Sequence, residues 1–142
     1  MQCFVAAASI TIDGVKTYYS TFEEAVAYAN GKDGTVIVVE NDCKTDSSVD
    51  FESGSVIIDL DGKAIDSTTN YIFYYSGGSI TILDSVGGGR TVEGVDGSTV
   101  FIEGGTHEGS VGGSNLIVTD GKFAYVAVTI GETSTISGGS FE

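Results

Sequence analysis

The chain has 142 residues and a mass of 14.6 kDa, the size of one ordinary domain. Six Lys and Arg against twenty Asp and Glu give a net charge of −14 and a pI near 4.1, which excludes binding to nucleic acid through phosphate neutralisation. Thirteen Ile and sixteen Val supply a core, so disorder is excluded, and no apolar run approaches the ~20 residues of a membrane span, so no membrane insertion is expected.

Only three Leu accompany those β-branched residues, with fifteen Thr and fourteen Phe plus Tyr, a set that fits a pleated surface better than a helix. Twenty-one Gly and no Pro predict many tight turns. The fold class expected is mostly β. Met1 to Ser9 lack a basic segment and a full apolar segment, so no signal peptide is expected. Three readings then stand: the chain stays where it is made, is a module of a longer protein, or enters a particle that leaves the cell without secretion. Cys3 and Cys43 flank the one predicted helix. They could close a long loop as a disulfide, or be two free, partly buried thiols, and the second reading fits better. No Cys/His spacing points to zinc.

Ser9 to Ile12 and Val15 to Tyr19 alternate around Asp13-Gly14, which predicts a hairpin. Residues 21–30 predict a short helix. Thr21 caps it with Glu24 at the third helical position, Phe22, Ala25, Val26 and Ala29 form its apolar stripe, and Asn30-Gly31 stops it. From Gly34 onward short β-rich runs recur: Val36 to Glu40, Val56 to Leu60, Ile80 to Asp84, Thr99 to Glu103, Asn115 to Thr119 and Thr133 to Ser137. A fainter set lies between them at Val49 to Phe51, Tyr71 to Tyr75, Thr91 to Glu93 and Tyr125 to Thr129. The best internal match aligns Ile102 to Glu108, Val118 to Ala124 and Ile136 to Glu142, in steps of 16 and 18 residues. That alignment puts His107 where Phe123 and Phe141 stand.

Self-similarity of this kind predicts a solenoid, in which successive turns of chain bury what one turn cannot. Ile57, Ile82, Phe101, Ile117 and Ile136, or their immediate neighbours, are expected to stack inward, since a slip of one residue reverses in and out. A β-sandwich is the rival architecture. The expected organisation is one structural domain, with hairpin and helix over residues 1–34 and repeating strands over 35–142.

Thr17 to Val26, Gly34 to Val39 and Ile57 to Ile65 resemble the entry of right-handed parallel β-helix (pectate-lyase-like) proteins, and Ser79 to Ser85 and Ile136 to Phe141 resemble their recurring motifs. The resemblance implies a short right-handed parallel β-helix with an N-terminal β-hairpin, its open end covered by the amphipathic helix. The family includes polysaccharide lyases, bacterial surface modules, and bacteriophage tailspikes and fibres, so the resemblance implies architecture rather than activity.

Candidate chemistry is sparse. Asp59, Asp61 and Asp66 form the obvious acidic cluster, with Asp59 and Asp61 expected on one face of a strand, but the remaining ligands of a calcium loop are missing and solvated turn residues fit better. Arg90, the single arginine, follows Gly87 to Gly89 in what reads as a flexible loop. Glu103 and Glu108 flank His107. Neither glycine run opens a helix with a following Lys-Ser/Thr, so neither reads as a phosphate loop. No catalytic residue, no metal ligand and no cofactor is expected, and a polyuronate substrate would be repelled by the −14 body. Tyr71 and Tyr74 are the candidate outward aromatic pair, able to stack on surface carbohydrate or fill a partner's pocket, with ordinary packing as the plainer reading.

Gly138, Gly139 and Phe141 mark an end without a polar capping turn, expected to be covered by a like subunit or a protein partner. A homo-oligomer or a place in a larger assembly follows. The function expected is a noncatalytic structural or binding protein on an exterior surface, foremost a bacteriophage virion component such as a capsid decoration or fibre protein, located at the virion surface. The alternatives are a module of a secreted bacterial cell-surface protein or adhesin, and a fragment of a polysaccharide lyase or glycoside hydrolase.

Overall fold

The computed structural model describes residues 5–126 and 134–141. The protein is mostly β with one helix. In chain order the described elements are β1 (Ala8–Ile12), β2 (Val15–Tyr19), α1 (Phe22–Ala29), β3 (Asp33–Val39), β4 (Cys43–Thr45), β5 (Ser55–Asp59), β6 (Ala64–Ser67) and β7 (Tyr71–Leu83). There follow β8 (Arg90–Thr91), β9 (Gly94–Ile102), β10 (Thr106–Val111), β11 (Asn115–Val118), β12 (Lys122–Val126), β13 (Thr135–Ile136) and β14 (Ser140–Phe141).

Asp13 and Gly14 both take positive φ, 50° and 79°, the two-residue turn that matches strand twist, and β1 pairs β2 antiparallel across it. At α1 the Glu24 N–H donates to Thr21 Oγ1 at 3.2 Å, as the predicted cap requires. The Asn30 N–H donates to the Val26 carbonyl, and Gly31, with φ of 81°, takes the left-handed position. Phe22, Ala25, Val26 and Ala29 are all buried, and the Phe22 ring meets Phe73 edge-on at 6.0 Å. A two-turn helix is not stable alone. Burial of its stripe, about 2–3 kcal/mol for the phenylalanine itself, holds it against the sheet.

From β3 onward the pairing is parallel and falls into three series. The first runs β3–β5–β7–β9–β11–β13, with Val36, Ile57, Thr81, Phe101, Ile117 and Thr135 as successive partners. The second runs β4–β6–β8–β10–β12–β14, with Cys43, Ile65, Thr91, His107, Phe123 and Phe141 as partners. The third links Val49, Phe73, Val95 and Val111. Side chains alternate where the pairing is regular. In the first series Val56 and Ile58, Ile80 and Ile82, Val100 and Ile102, and Leu116 and Val118 point inward and are fully buried.

Four differences from the expected pattern have physical causes. Ile57, Phe101 and Ile117 face outward, because the stacked row lies one residue away and a single-residue slip exchanges the faces. Ile82 is inward as expected, and Ile136 continues its column yet is 44% exposed at the edge. The runs at Tyr71 to Tyr75 and Ile80 to Asp84 join into the single strand β7, because pairing to β9 continues through Ser76-Gly77-Gly78 with shifts of register. A Cβ on Gly78 would collide with the Phe51 ring, so only glycine lets the strand pass so close to that side chain. Finally, β1 pairs β3 antiparallel as well as β2, through Ile10 opposite Ile37, so the hairpin is sewn into the sheet. The sheet is therefore mixed, and it curls without closing. The short strands β4, β6 and β10 were not among the expected runs, since three to six residues with polar or glycine positions carry little alternation.

Candidate functional site

The second series builds the most distinctive column of side chains in the protein. Gly105-Thr106-His107, Gly121-Lys122-Phe123 and Gly139-Ser140-Phe141 repeat one local device: a glycine at positive φ (88°, 123° and 103°), then an outward residue, then an inward ring. A Cβ on Gly121 would sit 3.1 Å from the Phe123 ring, so the glycine makes room for the ring that follows. The rings then stack, His107 on Phe123 at 5.1 Å and 18°, and Phe123 on Phe141 at 5.1 Å and 15°. The internal alignment had placed these three residues at one position, and strand register does the same.

His107 is fully buried. Its Nδ1 lies 2.7 Å from Thr91 Oγ1 and its Nε2 lies 2.9 Å from the Gly104 carbonyl oxygen. A carbonyl can only accept, so Nε2 carries the proton and donates to Gly104, leaving Nδ1 to accept from the Thr91 hydroxyl. Burial pushes the imidazole below its ordinary pKa, against a smaller upward pull from the Gly104 carbonyl. A hydroxyl on an oriented imidazole is also the local geometry of an activated nucleophile. Thr91 is 1% exposed, however, so no substrate reaches its oxygen, and the pair is a satisfied core contact. Thr91 was expected only as the start of a faint strand. Its 16-residue distance from His107, equal to that from His107 to Phe123, was the signal that could have placed it in the column.

The acidic candidates do not converge. Asp59 ends β5 and its Oδ1 accepts from the N–H groups of Asp61 and Ser85, both at 3.0 Å. Asp61 does not share a strand face with it, because it lies beyond the strand at φ of 49° in a turn. Asp66 Oδ1 accepts from its neighbour Ser67, and Lys44 approaches its other oxygen at 3.8 Å. Asp84 has a part that was not anticipated: its two oxygens accept from Gly62 at 2.9 Å and Gly89 at 2.7 Å, tying consecutive turns together. Asp59 and Asp84 are turn braces, whereas Asp66 sits within β6. Arg90 is not in a loop but opens β8, where it meets Glu108 of β10 at 3.1 Å across an exposed pair. Glu103, Asp84, Asp120 and Lys122 line an open groove of about 540 Å³ along the glycine turns. Among the described residues no three metal-ligating side chains come together.

Tyr71 and Tyr74 do come together, with ring centroids 4.8 Å apart and planes inclined by 40°. Strict alternation would separate them. Pairing irregularities on either side of Phe73 break that alternation, burying Ile72 and Phe73 in succession and leaving Tyr71 and Tyr74 as surface neighbours. Tyr74 is 40% exposed, and the Tyr71 ring occupies the space that a Cβ on Gly94 would need. The side chain of Tyr75 and the run expected at residues 125–129 lie wholly or partly outside the described residues, as does Cys3. Cys43 carries a free, half-buried thiol whose pKa burial pushes up to about 12, so it is protonated and a weak nucleophile at neutral pH.

No known protein family, no curated protein and no solved structure matches this chain.

Proposed function

We propose that the chain is a short right-handed parallel β-helix and that it serves as a noncatalytic structural and binding protein on an exterior surface, foremost as a bacteriophage virion component. The observation that carries the reading is the second-series column. Six successive strands hold one inward position in register, from Cys43 to a Phe141 ring that is 47% exposed at the sheet edge. A large apolar ring presented beside strand backbone is a surface made to be extended by another strand or covered by another polypeptide. In this reading a like subunit or a protein partner lies over Gly138, Gly139, Ile136 and Phe141. The carboxylates support a structural role, because Asp59 and Asp84 brace backbone turns. The Tyr71–Tyr74 pair, Tyr74 exposed and Tyr71 half-buried, supports a binding role, toward carbohydrate or a partner's apolar side chain.

The test is immunogold labelling of particles and cells from the source culture with an antiserum against the chain, together with assays of the purified chain on neutral and acidic polysaccharides. Label on phage particles is the expected result. Label confined to bacterial envelopes would replace the virion reading with that of a cell-surface module, and calcium-dependent cleavage of a polyuronate would overturn the noncatalytic one.

A further inference from the structure

At the hairpin and the helix the protein sets its own cation on a tyrosine ring. Lys16 Nζ lies 5.3 Å from the centre of the Tyr18 ring, and Lys32 Nζ lies 4.3 Å from that of Tyr28. The surface around Tyr71 and Tyr74 is built differently. The third strand series and the turns that serve it fall within residues 45–62, 64–89 and 91–121, and none of those stretches contains a Lys or an Arg. Carboxylates stand there instead. Val49, Phe73 and Val95 are register partners and all are buried, and the residues that follow them are Asp50, Tyr74 and Asp96. With strands about 4.8 Å apart, the two acids flank Tyr74, Asp50 exposed and Asp96 half-buried. The Tyr71 ring lies on the backbone of Gly94, which Glu93 precedes. Among the described residues the carboxylates of Asp50, Glu93 and Asp96 enter no ion pair and accept no hydrogen bond, whereas those of Asp59, Asp66 and Asp84 hold backbone N–H groups.

We infer that the Tyr71–Tyr74 pair binds an organic ammonium cation, received on the exposed part of Tyr74 with Asp50 and Asp96 beside it. The inference rests on reading this pair as a binding surface, and it gives that surface its ligand class. Three contributions select a cation. The face of a phenol ring is negative and attracts positive charge. The flanking carboxylates have no charge partner of their own among the described residues. The net charge of −14 draws cations toward the molecule and repels anions. A neutral sugar could stack on the ring and donate hydrogen bonds to the carboxylates, but it gains nothing from the net charge.

Geometry sets the strength. Ring centroids 4.8 Å apart leave no space between the two tyrosines for a ligand, so the cation sits on the surface and stays partly in water. Such a contact gives an affinity in about the millimolar range for a small ammonium ion. The same chemistry has two sources, a methylated ammonium head group of a small molecule or the side chain of a lysine, and the experiment separates them.

The experiment is a titration of the full chain, followed by the nuclear magnetic resonance shifts of its amides. The probes are choline, n-butylammonium, the neutral choline isostere 3,3-dimethylbutan-1-ol, and methyl glucoside. Saturable shifts centred on Tyr71, Tyr74, Asp50 and Asp96 should appear with the two cations, and the tighter of them names the source. Choline should bind at least about threefold tighter than its neutral isostere, and salt should weaken choline alone. Tyr74→Phe keeps the ring and should bind as the wild type does, whereas Tyr74→Leu should lose about threefold or more. Asp50→Asn and Asp96→Asn should each cost about threefold, while Glu103→Gln, which removes an exposed charge away from the pair, should leave binding unchanged. Amide spectra establish that each variant is folded. Equal or tighter binding of the isostere or the glucoside at the pair would overturn the cation and leave a binding surface of another class. Equal losses in Glu103→Gln and Asp50→Asn would overturn it in favour of diffuse attraction to an acidic body. No saturable shift at the pair with any probe would remove its binding role as well.

Discussion

His107 is the one histidine of the chain, and folding holds its imidazole neutral between the Thr91 hydroxyl and the Gly104 carbonyl. Its folded pKa lies below the ordinary value of 6.5 because burial disfavours the charged ring. Between those two values the unfolded chain binds a proton that the folded chain does not, so stability falls as pH falls, by up to about 1.4 kcal/mol per pH unit. The melting temperature should therefore fall as pH is lowered from 6.5 toward the folded value. One carboxylate acts in a lower window. Glu40, whose pKa is lowered chiefly by its hydrogen bond with Lys16, stabilises the fold above its ordinary 4.5 and loses that contribution only as pH falls through its lowered folded value. The assay is denaturant unfolding followed by circular dichroism at half-unit steps from pH 7.5 to 5, for wild type and His107→Phe. The variant changes stability at every pH, since it strands the Thr91 hydroxyl and the Gly104 carbonyl, but the slope is the diagnostic quantity. A flat wild-type profile between pH 6.5 and 5, or an equal slope in His107→Phe, would refute the reasoning.

Three substitutions probe the backbone and core directly. Thr45 Oγ1 is buried and has no hydrogen-bond partner among the described residues, so Thr45→Val, nearly the same in shape, should raise unfolding stability by about 1 kcal/mol. A loss of stability in the denaturation midpoint would show that the hydroxyl is satisfied. Gly54 and Gly14 both have positive φ, 89° and 79°, but a Cβ on Gly54 would strike the Lys32 carbonyl oxygen while one on Gly14 meets nothing within 4 Å. Gly14→Ala should therefore cost about 1 kcal/mol from backbone strain alone. Gly54→Ala should cost at least twice that, and equal losses in thermal melts would contradict the close approach.

The residues that local chemistry governs could be read from the chain alone. Asp13-Gly14 dictates a hairpin because both positions tolerate positive φ. Thr21, the stripe from Phe22 to Ala29 and Gly31 delimit the helix because cap, periodicity and stop agree. The equivalence of His107, Phe123 and Phe141 was legible because each ring follows a glycine by two residues. Tertiary structure decided everything that depends on which strand lies beside which. The inward row falls on Ile58 and Ile82 rather than Ile57 because a period of two looks the same from either face until a neighbouring strand breaks the tie. Thr91 satisfies His107, and Asp84 clasps Gly62 and Gly89, through pairings between residues 16 and 22 positions apart or across a glycine turn, where no local preference reaches. Tyr71 and Tyr74 meet because irregular pairing with β9 cancels the alternation their own strand would impose, and β1 joins β3 through hydrogen bonds that neither segment announces by itself.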